Sequence, residues 1–111
     1  MDVTPLLPDL TIVECGDDER TASVPVTDAV KQPLGLVHGG VYAIIADALT
    51  ADDGRVISSQ TSFLRPITQG TIHATARRRH RGRTTAVWEV DVTDDAGRTC
   101  ALVRTTVYPA P

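Results

Sequence analysis

The chain has 111 residues, 41% of them hydrophobic and 23% charged, with a formal net charge of −3. At roughly 100–150 residues per domain, one domain over residues 1–111 is expected, and the apolar fraction excludes a disordered chain. No stretch approaches the roughly 18 apolar residues of a membrane span and no basic-then-apolar leader opens the sequence, so a cytoplasmic protein without a membrane partner is expected.

The first nine residues, with Pro5 and Pro8, read as a loosely held arm. Residues 11–16 and 21–26 read as two short strands, with Asp17, Asp18 and Glu19 turning the chain between them. From His38 to Thr50 the period changes. Val41, Ile44, Ile45, Ala48 and Leu49 recur at i, i+3, i+4, i+7 and i+8 and share one helical face. The opposite face holds Gly39, Ala43, Ala46, Asp47 and Thr50, small residues around one carboxylate. Such a helix has two neighbours: a core that it buries, and something that must come close. Asp52, Asp53 and Gly54 stop it, because acidic side chains oppose the negative end of the helix dipole.

The period then returns to two. Ile57, Ser59, Thr61 and Phe63 share one face of a strand that ends at Pro66. Gly70 opens the next, with Ile72, Ala74 and Ala76 inward, and Gly82 turns the chain. Ala86, Trp88, Val90 and Val92 alternate with Thr85, Val87, Glu89 and Asp91, and a hairpin at Asp94-Asp95-Ala96-Gly97 leads into Ala101, Val103, Thr105 and Val107. Three long antiparallel strands after one buried helix predict an α+β meander. One helix covers little of such a sheet, and only four aromatics thicken its core, so a second copy of the chain is expected to bury part of it.

Cys15 and Cys100 cannot make a disulfide scaffold and have no metal-ligand spacing; they read as reduced, partly buried thiols, with no metal. Of eleven basic residues ten are arginine, and Arg77, Arg78, Arg79, Arg81 and Arg83 lie within seven positions. That stripe carries +5 and leaves −8 on the rest of the chain. A nucleic-acid binder spreads positive charge over a whole face; one basic stripe on an acidic body suits one compact anion instead.

The segment that carries chemistry is Gln32-Pro33-Leu34-Gly35-Leu36-Val37-His38-Gly39-Gly40-Val41, followed by Asp47. Here the sequence resembles the hot-dog-fold acyl-CoA thioesterases of the phenylacetate-degradation and 4-hydroxybenzoyl-CoA type. Those proteins carry Gly-x-x-His-Gly-Gly ahead of the central helix and an Asp or Glu nine positions after the histidine, a spacing that Gly35, His38, Gly39, Gly40 and Asp47 match. Phe63-Leu64-Arg65-Pro66 with Gly70 resembles the family's second landmark, and Gly82-Arg83 and Asp95-Ala96-Gly97-Arg98 its later turns. The resemblance runs from about Gln32 to Val107. It implies an antiparallel sheet wrapped around one central helix, hydrolysis of acyl- or aryl-CoA thioesters, no cofactor beyond the coenzyme A of the substrate, and a homodimer or homotetramer with its sites across the dimer interface.

The residues support this on their own terms. Gly39 and Gly40 open a helix, where N–H groups lack intrahelical partners and the dipole is positive. Either they only form a tight turn, or they let a carbonyl approach those donors and make an oxyanion site. A lone Asp on a helix is ordinarily a solvated charge. Asp47 instead sits on the small-residue face, where partial desolvation would raise its pKa and suit it as general base or as nucleophile; both routes stay open. Gly39 and Asp47 are eight residues apart, about 12 Å along one helix, so one thioester carbonyl reaches both only if the carboxylate comes from a second subunit whose helix runs antiparallel.

Gln32, where relatives carry Asn or Gln, would by resemblance position the glycine turn or the hydrolytic water, and is otherwise a loop-surface amide. His38 is expected to hydrogen-bond within the turn rather than transfer protons; His73 and His80 read as surface residues. On a strand Arg77, Arg79 and Arg81 would point one way and Arg78 and His80 the other, and together with Arg83 they would bind the phosphates of coenzyme A or an acidic acyl carrier protein, or else form a solvated strand face. One departure stands out. Only fifteen residues separate Asp47 from Phe63, fewer than in relatives, and Ala51, with Thr50 beside it, holds the position where the family often adds a Ser or Thr. The expectation is an acyl pocket that is more open or incomplete, or a chain that lacks a segment here. The leading reading is a thioesterase; the alternative is a non-catalytic acyl-CoA or acyl-carrier-protein binding module, and a dehydratase would need an Asp and a His set together.

Overall fold

The computed structural model describes residues 6–109. In chain order these form β1 (Thr11–Cys15), β2 (Glu19–Pro25), α1 (Gly39–Thr50), β3 (Gly54–Phe63), β4 (Thr71–Arg81), β5 (Ala86–Thr93) and β6 (Thr99–Pro109). The strands make one antiparallel sheet in the order β1-β2-β4-β5-β6-β3, with α1 packed on it. A sheet around one helix is what the sequence pattern implies, but it is no simple meander. β3 does not pair with β4, which follows it; it pairs with β6 at the far edge, while β4 pairs with β2. Residues 64–70 make the crossing along the sheet end: Leu64 N–H and Arg65 N–H donate to the Cys100 carbonyl, and Val26 N–H donates to that of Gly70.

Alternation sets the core. Ile72, Ala74 and Ala76 of β4, Ala86, Trp88, Val90 and Val92 of β5, and Ala101, Val103, Thr105 and Val107 of β6 all face α1 and are buried. Val41, Ile45 and Leu49 meet them as expected. Tyr42, Ala46 and Thr50 do too, which corrects the small-residue face: Ala46 and Thr50 are core, and Thr50 is compatible with burial because its hydroxyl donates to the Ala46 carbonyl at 2.9 Å. Gly39, Ala43 and Asp47 remain half-buried on the free side.

Other expectations shift. Glu19 opens β2 rather than closing the turn. Leu7 is buried, so this part of the expected arm is packed; residues 1–5 of it lie outside the described residues. Cys100 is buried but Cys15 is exposed on the edge strand β1. Two bulges break the simple alternation. At Ile57 the extra residue puts Val56 in the inward row with Ser59, Thr61 and Phe63. At Arg79 the bulge turns Arg81 inward beside Arg78, opposite Ala86 and Trp88, and sends His80 opposite Val87, so Arg81 does not share a face with Arg77.

That second bulge serves the end of α1. Asp52 and Asp53 form a 3-10 turn, and Gly54, at φ 139°, takes a backbone conformation that side chains rarely tolerate and swings the chain into β3. Asp53 is buried, accepting from Trp88 Nε1 at 2.8 Å, Arg81 at 2.5 Å and Arg78 at 3.2 Å. Arg20, also buried, donates to the Leu49 carbonyl at 2.8 Å and pairs with Asp52, placing a cation at the negative end of the helix. Trp88 lies within 4.6 Å of the Arg20 guanidinium and 5.5 Å of that of Arg78. The acidic pair therefore acts through specific cations, beyond its effect on the dipole.

Among the described residues no helix is long and apolar enough to cross a membrane.

Candidate active site

The start of α1 is built by a tied loop. Gln32 N–H donates to the Leu36 carbonyl at 2.8 Å and His38 N–H to that of Val30 at 2.8 Å, while Gly35, at φ 87°, closes the turn onto the Gln32 carbonyl at 2.9 Å. The Gln32 side-chain oxygen accepts from Leu34 N–H, so this half-buried amide holds the turn that delivers His38. His38 caps the helix: its Nδ1 accepts from Gly40 N–H at 3.0 Å, and its carbonyl accepts from Val41 N–H at 3.0 Å. With Nδ1 an acceptor, the neutral ring carries its proton on Nε2.

These bonds use the donors around Gly39 and leave its own N–H without a partner among the described residues. A free N–H at the positive end of a helix is the arrangement that binds a developing oxyanion. A groove of about 520 Å³ opens there, with Leu36, Val37, Phe63 and Leu64 as apolar walls and Arg65 as the charged residue of its lining. The Phe63 ring lies across Gly39, where a β-carbon would come within 2.8 Å of it, and packs against Tyr42 with centroids 6.2 Å apart. Burial, and then the neighbouring Cys100, push the Tyr42 phenol up to about 12, so it stays protonated at neutral pH.

Asp47 lies elsewhere. It is half-buried on α1, one carboxylate oxygen is sealed from solvent with no hydrogen-bond partner, and this burial raises its pKa above the ordinary carboxylate value. A carboxylate left short of partners is a poor structural residue and a competent base. The structure thus gathers Gln32, His38, Gly39 and Gly40 at the start of α1 and leaves Asp47 eight residues on, outside the groove lining.

The arginines are spoken for within the chain to different degrees. Arg77 pairs with Asp91 at 3.1 Å and Glu19 at 3.7 Å, Arg79 with Glu89 at 3.6 Å, Arg78 with Asp18 at 2.7 Å, and Arg81 with Asp53. Arg83 is exposed in the turn after β4. His73 is exposed but bonded to Asp95 at 2.8 Å, and His80 is exposed. Sequence reasoning missed Tyr42, Leu64 and Arg65 as groove residues. The signal available was the run from Phe63 to Pro66, apolar and charged together just where a strand ends.

A helix wrapped by an antiparallel sheet, with a free glycine N–H at its start and a desolvated carboxylate two turns on, defines a hot-dog thioester hydrolase. Comparison with known proteins agrees. Residues 28–108 match the family model described as acyl-CoA thioesterase N-terminal domain. The proofreading thioesterase EntH of Cronobacter sakazakii is 33% identical over 99 residues, 80% of this chain and 72% of that protein. The 1,4-dihydroxy-2-naphthoyl-CoA hydrolase of Escherichia coli K12 is 28% identical over 108 residues, 88% of this chain and 79% of that protein. A variant of thioesterase PA1618 from Pseudomonas aeruginosa matches with a TM-score of 0.85 and 30% identity over 98% of this chain and 87% of that one. The chain belongs to the acyl-CoA thioesterase N-terminal domain family and is a thioester hydrolase.

Proposed function

We propose that the chain hydrolyses acyl- or aryl-CoA thioesters as a homodimer, or as a homotetramer, in the cytoplasm. Gly39 of one protomer and Asp47 of the partner subunit then act on one carbonyl. The thioester oxygen meets the Gly39 N–H. Asp47 either takes a proton from the attacking water or itself attacks the carbonyl carbon; the tetrahedral intermediate collapses, the C–S bond breaks, and the thiolate of coenzyme A leaves and is protonated. On the second route water then hydrolyses the anhydride formed on Asp47 and frees the acid. Gln32 and His38 hold the turn that aims the Gly39 N–H, and Gly40 sits beside the carbonyl.

The observation that carries this reading is the sealed, unpartnered oxygen of Asp47 with its raised pKa. The need for a partner follows from the roughly 12 Å of helix between Asp47 and Gly39. The E. coli relative is by name a hydrolase of an aryl-CoA thioester, which supports an aryl group among the substrates. For the nucleotide end, Arg77, Arg79 and Arg83 are the phosphate contacts, with Arg83 the member set in an exposed turn and Arg81 left out because it is turned inward onto Asp53. The test is Asp47→Asn, which lowers turnover of acyl-CoA by about 100-fold or more, the low end for a positioned acid–base group. Unchanged turnover would end the assignment.

A further inference from the structure

The groove at the start of α1 carries a polarity that hydrolysis of the thioester does not use. Beside its apolar walls and the Gly39 N–H, two polar side chains line it, Tyr42 and Arg65, and no carboxylate does. Tyr42 is 3% exposed, and its hydroxyl makes no hydrogen bond among the described residues. The sealed, unpartnered side-chain oxygens there belong to Asp47 and Thr105. The Tyr42 hydroxyl is therefore among the few atoms through which this side chain meets solvent, and the opening that Tyr42 borders is the groove. A helical side chain leans back over the preceding turn, which for Tyr42 is the turn of Gly39. Protonated at neutral pH, the phenol is a donor in an otherwise apolar wall.

Arg65 is exposed and belongs to no ion pair among the described residues, whereas Arg77, Arg78, Arg79 and Arg81 each hold a carboxylate. Its N–H donates to the Cys100 carbonyl at 3.0 Å, which fixes its backbone at the groove. It stands two residues past Phe63, at most about 7 Å along the chain, and the Phe63 ring reaches Gly39. A plain hydrocarbon acyl group lying against these walls leaves the cation without a counter-charge and the phenol without an acceptor. A group that ends in a carboxylate supplies both, while its methylenes meet the apolar walls. The groove volume of about 520 Å³ has room for such a chain.

We propose that the groove selects acyl groups that end in a carboxylate, the monothioesters of dicarboxylic acids, with Arg65 the specificity-determining residue and the Tyr42 hydroxyl the second donor. This specificity rests on the thioesterase reading given above and narrows its acyl group.

The experiment measures kcat/KM by thiol release for adipoyl-CoA against hexanoyl-CoA and for suberoyl-CoA against octanoyl-CoA. The members of each pair have equal carbon number and share coenzyme A, so their ratio reports the terminal carboxylate alone. The unaltered protein should favour the carboxylate member of at least one pair by about tenfold or more, the size of a charge-assisted hydrogen bond. Arg65→Gln, at an exposed position that spares the fold, should bring that ratio to about one, and Arg65→Lys should keep part of it. Tyr42→Phe breaks no hydrogen bond, so it should lower the ratio several-fold without lowering the melting temperature. No preference for the carboxylate member in either pair overturns the specificity and leaves the thioesterase reading intact. A preference that survives Arg65→Gln overturns it too, as does an equal loss on all four substrates, which places Arg65 on the nucleotide. A ratio untouched by Tyr42→Phe overturns the part given to the phenol. An unaltered protein that releases no thiol from any acyl-CoA removes both the specificity and the thioesterase reading.

Discussion

The edge of the Phe63 ring lies close enough to Gly39 that a β-carbon there would come within 2.8 Å of two ring carbons. The glycine is thus required twice, for the close approach of the ring and for access to its N–H. Gly39→Ala displaces the ring and crowds the donor; turnover falls by about 100-fold, the usual size for an oxyanion donor, while the fold survives because Phe63 is 64% exposed and can swing away. In a Phe63→Ala background the stability cost of Gly39→Ala shrinks, which thermal melting in a double-mutant cycle measures.

The pH dependence follows from Asp47. Its pKa is raised in the folded chain by burial, so the folded state holds that proton more tightly than the unfolded one. The associated stability is fully present below the ordinary carboxylate pKa and is lost as pH rises through the raised value. Activity runs the other way, since the carboxylate is the active form. kcat/KM should rise on an acid limb whose midpoint lies above the ordinary carboxylate value, and Asp47→Asn should melt higher than the unaltered chain at neutral pH while losing activity.

Asp53 makes the opposite prediction. Its carboxylate is buried and bonded to Trp88, Arg78 and Arg81. Asp53→Ala leaves the largely buried Arg78 without its interior partner and costs about 3 kcal/mol, read from urea denaturation. kcat per folded protein should hold.

Much of this was legible in the sequence, and the rest was hidden for identifiable reasons. Period two on β4, β5 and β6 gave the inward rows because each strand has one buried face. The helix between His38 and Thr50 was legible from its apolar spacing, and His38 as a turn residue because no carboxylate stands in a fixed relation to it. The bulges at Ile57 and Arg79 left no mark, since one extra residue changes parity without changing composition. The Asp53 cluster joins positions 25 to 35 residues apart, beyond any local pattern. A lone Trp, whose indole N–H needs an acceptor when buried, and an Asp next to a glycine were the two clues. The edge position of β3 depends on the helix intervening between the strands, which spacing alone does not show.

The arginine stripe separates into paired and exposed members. Arg83→Ala should raise KM several-fold for a CoA thioester, in line with loss of one charge-assisted phosphate contact, and leave an N-acetylcysteamine thioester unaffected. Equal effects on both substrates would place Arg83 outside the nucleotide site.

The central claim is a site shared between two chains, and subunit mixing tests it most directly. Asp47→Asn and Gly39→Ala homodimers are each nearly inactive. When the two are unfolded together at equal amounts and refolded, half the dimers are mixed, and one site in each mixed dimer joins the intact Gly39 of one chain to the intact Asp47 of the other. Activity should return to roughly a quarter of that of the unaltered protein, as two-fold symmetry requires. A mixture no more active than the average of the two variants would contradict the shared site.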